Sequence, residues 1–451
     1  METKMDMLHG PILKKILIFA FPIILGSVLQ QLFSAVDIAV VGLTGDSNGQ
    51  AAIGANTSLI ALFVNFFVGL TVGINVVIGN YIGQGHKERI SSTVHTAIMF
   101  AAFSGVGLLL LVEMIARPML VIMATPKEVL GQAVTYLRIY AMGMPFILLY
   151  NFGAAVLRTV GDTKRPLYAL LAAGFINMVL DLVLTAGLKL GVVGVAVATA
   201  FSNVISSALV IYFLVHEDGD IRLNIKKLAV SGDDLEKLLK IGLPSGFQTM
   251  VFSIANICIQ ATINSYGPAA VAGNAVALIF EVLAYYVVTG INQAAVTFTS
   301  VNYGAGDLKR CLKVFGISMA VAVVLTNIVN ISFILGEKFF VGLFTSDVAV
   351  AECVYLRFKI VLAVQFLICS YEISGSVLRG FGRSMLPAVI TIFGTCVLRI
   401  IWVNTVCARV RDISYVFVVY PVSWIVTGIA VVAAFIVTYK KLLSERLGNR
   451  A

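Results

Sequence analysis

Five ionisable side chains stand well inside long apolar runs: Asp37, Asp181, Glu281, Glu372 and Arg399. A charge in hydrocarbon costs at least ~2.5–3.5 kcal/mol on insertion scales, so a retained one is a candidate for ion or cargo handling. Asn177 precedes Asp181 by four residues, which puts an amide and a carboxylate on one helical face. Thr199 and Tyr136 fall at a similar depth on neighbouring runs. Together these side chains offer oxygen ligands suited to a hard cation, with Na+ expected at Asp37, Asn177, Asp181 and Thr199. The two carboxylates can instead hold one proton between them. Each residue also has a blander reading. Asp37 could be wetted at the membrane surface, Thr199 could bond back to its own helix, and Tyr136 could anchor at an interface. An internal arginine usually neutralises an internal carboxylate. Arg399 is therefore expected either to pair structurally with Glu281 or Glu372, or to serve with them in transport.

These residues sit in a chain of 451 residues that is 59% hydrophobic and 12% charged, against about 45–50% and 25% in soluble domains. A soluble protein of this size could not cover its surface with so few polar groups. That excludes a cytosolic enzyme, a disordered chain and a nucleic-acid binder, and leaves a polytopic membrane protein. The net charge of +9 fits basic cytoplasmic loops. The motifs of membrane enzymes are missing too: Asp233-Asp234 lies in a hydrophilic connector, and His216-Glu217 lacks the second histidine of a zinc site. No enzymatic activity is expected. The six cysteines form no CxxC and the four histidines no metal-ligand spacing. The cysteines read as small packing residues.

Crossing ~30 Å of hydrocarbon takes about 20 apolar residues. Twelve such segments are expected, near 16–43, 51–82, 92–117, 129–157, 166–189, 192–215, 238–265, 269–301, 308–335, 348–378, 385–408 and 415–438. The expected fold is an all-α integral membrane protein of two six-helix lobes: an N-lobe over 1–215, a cytoplasmic linker over 216–237 and a C-lobe over 238–451. Met1 to Lys15 lacks an apolar run with a small-residue cleavage site, so no cleaved leader is expected. Segment ends on the side of the N-terminus hold 22 of the 32 Lys and Arg residues, Lys4 and Arg450 among them, which places both termini in the cytoplasm.

The lobes repeat each other. Arg158 to Gly161 with Pro166 is echoed by Arg379 to Gly382 with Pro387, and Gly83-Gln84-Gly85 by Gly304-Ala305-Gly306, both at an offset of 221. Tyr136-Leu137-Arg138 recurs as Tyr355-Leu356-Arg357, and Pro22 as Pro244, at offsets of 219 and 222. Six is even, so the lobes share one orientation about an axis along the membrane normal, an architecture of transporters. Their chemistry has diverged: at this offset Glu372 meets Asn151, and the two aspartates fall near Ile259 and Trp402. Cation coupling is therefore expected in the first lobe. Phe33, Phe63, Phe66, Tyr285, Tyr286 and Met250 are candidates to line a passage for lipophilic cations, with ordinary packing as the alternative. Pro22, Pro145 and Pro244 fall inside helices and could permit bending.

Pro22 followed by Gln30-Gln31-Leu32, Asp37, Gly42 and Ala51-Ala52-Ile53-Gly54 resembles the opening helices of the multidrug and toxic compound extrusion (MATE) family. Asn177 with Asp181 is similar to that family's helix 5 signature, and Leu157-Arg158-x-x-Gly161 with Leu378-Arg379-x-x-Gly382 to its repeated loop. The resemblance spans essentially the whole chain. It implies secondary active multidrug export: lipophilic, often cationic compounds leave by alternating access in antiport with Na+ or H+. It would make Asp37 and Asp181 the coupling site, with Asn177, Thr199 and Tyr136 as neighbours. Glu281 would correspond to an acid that some branches use in the C-lobe, and no counterpart stands for their second one. The implied partners are small lipophilic or cationic molecules and the bilayer, with no cofactor beyond the coupling ion and no nucleic acid. A monomer in the cell (inner or plasma) membrane would suffice. The rival is a lipid-linked oligosaccharide flippase of the same superfamily, whose cleft would need several cations to hold a pyrophosphate. Whether Arg138, Arg357, Lys359 and Arg399 converge or pair locally separates the two.

Overall fold

The computed structural model describes residues 5–448, so Lys4 and Arg450 lie outside the described residues. Twelve helices are long and apolar enough to cross a membrane: α1 (Ile12–Leu43), α2 (Ser47–Gln84), α3 (Lys87–Ile122), α4 (Lys127–Thr159), α5 (Lys164–Gly187), α6 (Val192–Val215), α7 (Gly232–Asn264), α8 (Pro268–Gly304), α9 (Leu308–Leu335), α10 (Val348–Gly380), α11 (Met385–Cys407) and α12 (Ile413–Arg446). Each expected segment is present, and several begin a turn or more earlier because helix continues past the apolar run. Helix starts are set by short acidic side chains. Asp46, Asp307 and Asp347 accept from the backbone N–H groups of Gly49, Arg310 and Ala349, each at 2.8 Å, which satisfies donors a first turn leaves open.

The repeated glycine motifs mark helix ends. Gly85 and Gly306 have φ of +74° and +84°, and Gly161 and Gly382 have +83° and +76°. That left-handed backbone strains any residue with a Cβ, so the chain reverses there on glycine. α1, α4 and α7 run unbroken through Pro22, Pro145 and Pro244. Three other helices depart from α-geometry: α5 turns π-helical over Leu182–Gly187, α11 does so over Ile392–Val397 and Val403–Cys407, and α10 tightens to a 3-10 turn over Leu362–Leu367.

The chain forms two compact units. One holds Met5, Asp6 and Phe21–Gly246; the other holds Met7–Ala20 and the chain from Phe247 on. The divisions fall beside Pro22 and Pro244. In the first unit, the core is built from Leu108 of α3, Leu137 and Phe152 of α4, and Val195 and Val210 of α6, all fully or nearly fully buried. The early part of α7 joins this unit through glycine. Gly69 and Gly73 of α2 and Gly242 and Gly246 of α7 form two GxxxG pairs. A Cβ on Gly69 would stand 2.7 Å from the Gly246 Cα, and one on Gly242 would stand 2.6 Å from the Leu70 carbonyl. Backbones meet because there are no side chains to hold them apart, as at close crossings within membranes. Tyr81 of α2 accepts from Lys237 Nζ at 2.8 Å, and Asp234 accepts from Ser92 Oγ of α3 at 2.5 Å, so the start of α7 is tied to both α2 and α3.

In the second unit, Phe280 packs edge-on against Phe333 and Phe358, at centroid distances of 5.0 and 5.4 Å. The first part of α1 belongs here. Phe19 meets Phe298 edge-on at 5.8 Å, and the Arg310 guanidinium donates to the carbonyls of Met7, His9 and Gly10 at 3.1–3.3 Å.

The glycine crossing predicts its own test. A Cβ on Gly73 runs into the Leu238 carbonyl and cannot be relieved by rotating a side chain. Gly73→Val is expected to lower the melting temperature of the purified protein by about 1–3 °C, from an overpacking cost of ~1–3 kcal/mol. Gly107→Val, where a Cβ meets nothing within 4 Å, should leave it unchanged.

Candidate cation site

The local packing of α1 on α5 decides where the first two acids fall. A Cβ on Gly174 would overlap the Phe33 ring, so the glycine is the seat on which α1 rests. A Cβ on Gly26 would meet Leu170 and Leu167 at 3.5 and 3.6 Å along the same seam. Asp37 is one turn beyond Phe33, and Asn177 and Asp181 follow Gly174 by three and seven residues, so the seam carries these polar groups toward one another. Asp181 is the last α-helical residue before the π segment of α5. Gly194 lets α6 approach that segment, since its Cβ would lie 2.6 Å from Thr185 Oγ1.

Asp37 and Asp181 come within hydrogen-bonding range of each other. Thr199 Oγ1 donates to Asp37 Oδ2 at 3.4 Å. Asp181 is fully buried, Asn177 and Tyr136 nearly so, and Asp37 and Thr199 half-buried. Tyr136 lies close enough to feel the charge of both aspartates, and Tyr140, its ring 6.0 Å from that of Tyr136, feels that of Asp37. All five expected residues thus gather within one unit. Asp37 Oδ1, both Asp181 oxygens and Asn177 Nδ2 have no protein partner. Two facing carboxyl groups with no donor between them are compatible only if a proton or a cation stands there. The donor set fits Na+ as well as H+: carboxylate, hydroxyl and amide oxygens, with no soft ligand.

The second unit treats its acids differently. Glu281 accepts two hydrogen bonds from Arg357, Nε to Oε1 at 2.5 Å and Nη2 to Oε2 at 2.8 Å. Arg357 also donates to Asn274 Oδ1, and Gln365 Nε2 donates to the Glu281 backbone carbonyl at 2.8 Å. Glu372 accepts from Tyr285 OH at 3.2 Å and from Asn292 Nδ2 at 2.7 Å. The expected pairing of Arg399 with Glu281 or Glu372 does not form. Arg399, on α11, donates through Nε to Ser423 Oγ at 3.0 Å and lies over the rings of Tyr420 and Phe252 at 4.4 and 5.5 Å. The partner that reasoning missed is Arg357. It stands nine residues past the start of α10 at Val348, and that depth was the available signal.

Of the four cations that a pyrophosphate cleft would use, Arg357 and Arg399 share the Tyr420 ring, and each of the four has its own local surroundings. Arg138 pairs with Glu113 at 3.3 Å with about half its side chain exposed, Lys359 is exposed, Arg357 is committed to Glu281, and Arg399 stacks on aromatic rings. Among the aromatic candidates, Phe63 and Phe66 pack on the core of the first unit, and Tyr285 is tied to Glu372. Met250 and Tyr286 are half-buried in the second unit.

Removing one partner of a buried ion pair strands the other charge, at a cost of ~3–5 kcal/mol. Glu281→Ala should therefore destabilise the protein strongly in a thermal or denaturant melt. Lys359→Ala, at an exposed position, should not.

Comparison with known proteins agrees with this architecture. The MatE family model matches residues 22–183 and again residues 244–403. A probable multidrug resistance protein of Bacillus subtilis, YoeA, is 25% identical over 440 residues and is covered for 95% of each chain. The multidrug export protein MepA of Staphylococcus aureus is 24% identical over 78% of each chain. Among solved structures, a MOP superfamily transporter from Pyrococcus furiosus superposes with a TM-score of 0.90 at 22% identity, over 97% of this chain and 98% of its own. The family model recognises both halves of a twelve-helix chain whose own sequence repeats at the same interval, and this chain belongs to the MatE family of transporters.

Proposed function

We propose that the chain is a secondary active multidrug exporter that exchanges Na+ or H+ for lipophilic, often cationic compounds by alternating access. The observation that carries this reading is the pair Asp37 and Asp181, facing each other with no protein donor for Asp181. Such a pair must recruit a mobile cation, and a membrane protein that recruits one from either side can draw on its gradient. Relatives named for multidrug resistance and export support the cargo class. The ion pairs of Arg138 with Glu113 and of Arg357 with Glu281 leave fewer cations than a pyrophosphate-binding flippase would need.

In this reading both termini face the cytoplasm of a cell in whose plasma or inner membrane the protein resides, following the distribution of Lys and Arg. An external cation enters between Asp37 and Asp181, with Asn177 and Thr199 contributing oxygens and Tyr136 closing the site. The half-buried Asp37 is the accessible member and the buried Asp181 the retaining one. Cation entry bonds α1 to α5 and α6 near their ends. Pro22 supplies no backbone donor to its helix, so α1 can change its bend there as the contact forms. Exchange requires only that the cation and cargo favour different conformations, since a ligand shifts an equilibrium by its differential affinity alone.

The test is efflux of ethidium from energised cells with Na+ and H+ gradients imposed separately. Wild-type export should follow one of the two gradients, and Asp181→Asn should reduce it at least tenfold with protein still in the membrane. Full gradient dependence retained in that variant would sink the assignment.

A further inference from the structure

The second unit buries three guanidinium groups, Arg357, Arg379 and Arg399, at 0%, 7% and 1% exposure. Arg357 is balanced by Glu281. Arg379 donates to Gln248 Oε1 at 2.9 Å and stands close enough to Glu372 to feel its charge. Arg399 has no such balance: among the described residues no acid lies within ion-pair distance of it. Its Nε is satisfied by Ser423, and both Nη groups have no hydrogen-bond partner. An arginine cannot shed its proton to escape this cost, so a fully buried, uncompensated one calls for an anion.

The position is also not arbitrary. Arg357 repeats Arg138, and at the offset of 221 Arg399 falls at the position of Met178, which adjoins Asn177, and Tyr420 at that of Thr199. Arg357 and Arg399 both lie over the Tyr420 ring, at 4.9 and 4.4 Å. The second unit thus sets a buried arginine three residues before Trp402, the position that Asp181 holds in the first unit. Two π segments flank Arg399 in α11, over Ile392–Val397 and Val403–Cys407, whereas α5 has only the later one. π segments re-aim side chains and recur at functional sites. The half-buried Phe252 ring also lies over the guanidinium, at 5.5 Å.

We propose that Arg399 anchors a carboxylate-binding subsite within the second unit, so that the transporter accepts zwitterionic and anionic amphiphiles as well as lipophilic cations. The paired, unfilled Nη groups match the two oxygens of a carboxylate in a bidentate contact. Ser423 fixes the plane of the guanidinium, and Tyr420 and Phe252 supply apolar surface for the adjoining carbon skeleton. This subsite rests on the export reading for its cargo, but its test does not depend on any ion gradient.

The experiment is equilibrium binding of two fluorescent probes that differ in one group, rhodamine B with its free carboxylate and rhodamine B ethyl ester. The full chain is held in nanodiscs of zwitterionic phosphatidylcholine, which removes anionic lipid headgroups. Arg399→Gln should weaken rhodamine B binding about tenfold or more, the scale of a charge-assisted hydrogen bond, and leave the ester within about twofold. Arg399→Lys, which keeps the charge but loses the fork, should fall between. The melting temperature of Arg399→Gln without probe should not drop, because an unpaired buried charge is removed. Equal weakening of both probes, or of neither, would overturn the subsite and leave Arg399 a structural stacking residue. Failure of the wild type to bind either probe would count against the export reading, and the subsite would fall with it.

Discussion

Everything distinctive in this protein follows from the cost of an uncompensated charge away from water. Where the chain buries a charge it must answer it, and it does so in two ways. For the acids of the second unit the answer is internal: Glu281 is clasped by Arg357, and Glu372 is held by Tyr285 and Asn292. Those groups are settled and need nothing from outside. In the first unit Asp37 and Asp181 face each other, and no donor reaches Asp181. In the proposed function that deficit is met by a mobile cation, as an antiporter needs in a coupling site.

The apparatus around the pair serves to hold the deficit in place. Gly174 lets the Phe33 ring settle on α5, and Gly194 lets α6 close on the π segment after Asp181. The GxxxG crossing of α2 with the first part of α7 ties a segment from beyond the connector into the same unit. α1 is likewise shared between the units, with its division beside Pro22. The helix that carries Asp37 thus also carries the division between the two units. In the proposed exchange, a change in cation occupancy at Asp37 would act on a helix that the two units share.

Much of this was legible in the sequence because bilayer thickness acts on composition. Twelve apolar runs gave twelve helices, and the duplicated Arg-x-x-Gly and Gly-x-Gly motifs proved to mark left-handed glycines at helix ends. Asp37, Asn177, Asp181, Thr199 and Tyr136 could be grouped from depth and helical spacing, and their family resemblance pointed the same way. The partner of Glu281 could not. A helix periodicity gives the face and depth of a side chain, but which of two internal arginines reaches a given carboxylate depends on crossing geometry. Arg357 on α10 reaches Glu281, while Arg399 is turned by α11 toward Tyr420 and Ser423. The π segments were equally hidden, since a one-residue insertion leaves a hydrophobic run unchanged. The glycine seams were visible only as composition, because a glycine's role here is what its missing Cβ would strike.

The central claim is that the Asp37 and Asp181 pair binds a cation whose occupancy competes with cargo. Thermodynamic linkage makes that competition visible at equilibrium, because each ligand must weaken the other by the same factor. The most direct measurement is the affinity of the purified protein for tetraphenylphosphonium across a range of pH at fixed Na+, and across a range of Na+ at fixed pH. The account predicts that affinity weakens about tenfold or more as one of the two cations rises, and that the dependence vanishes in an Asp37→Asn, Asp181→Asn double variant that still binds the probe. An affinity in the wild type indifferent to both cations, or a dependence that survives in the double variant, would contradict it.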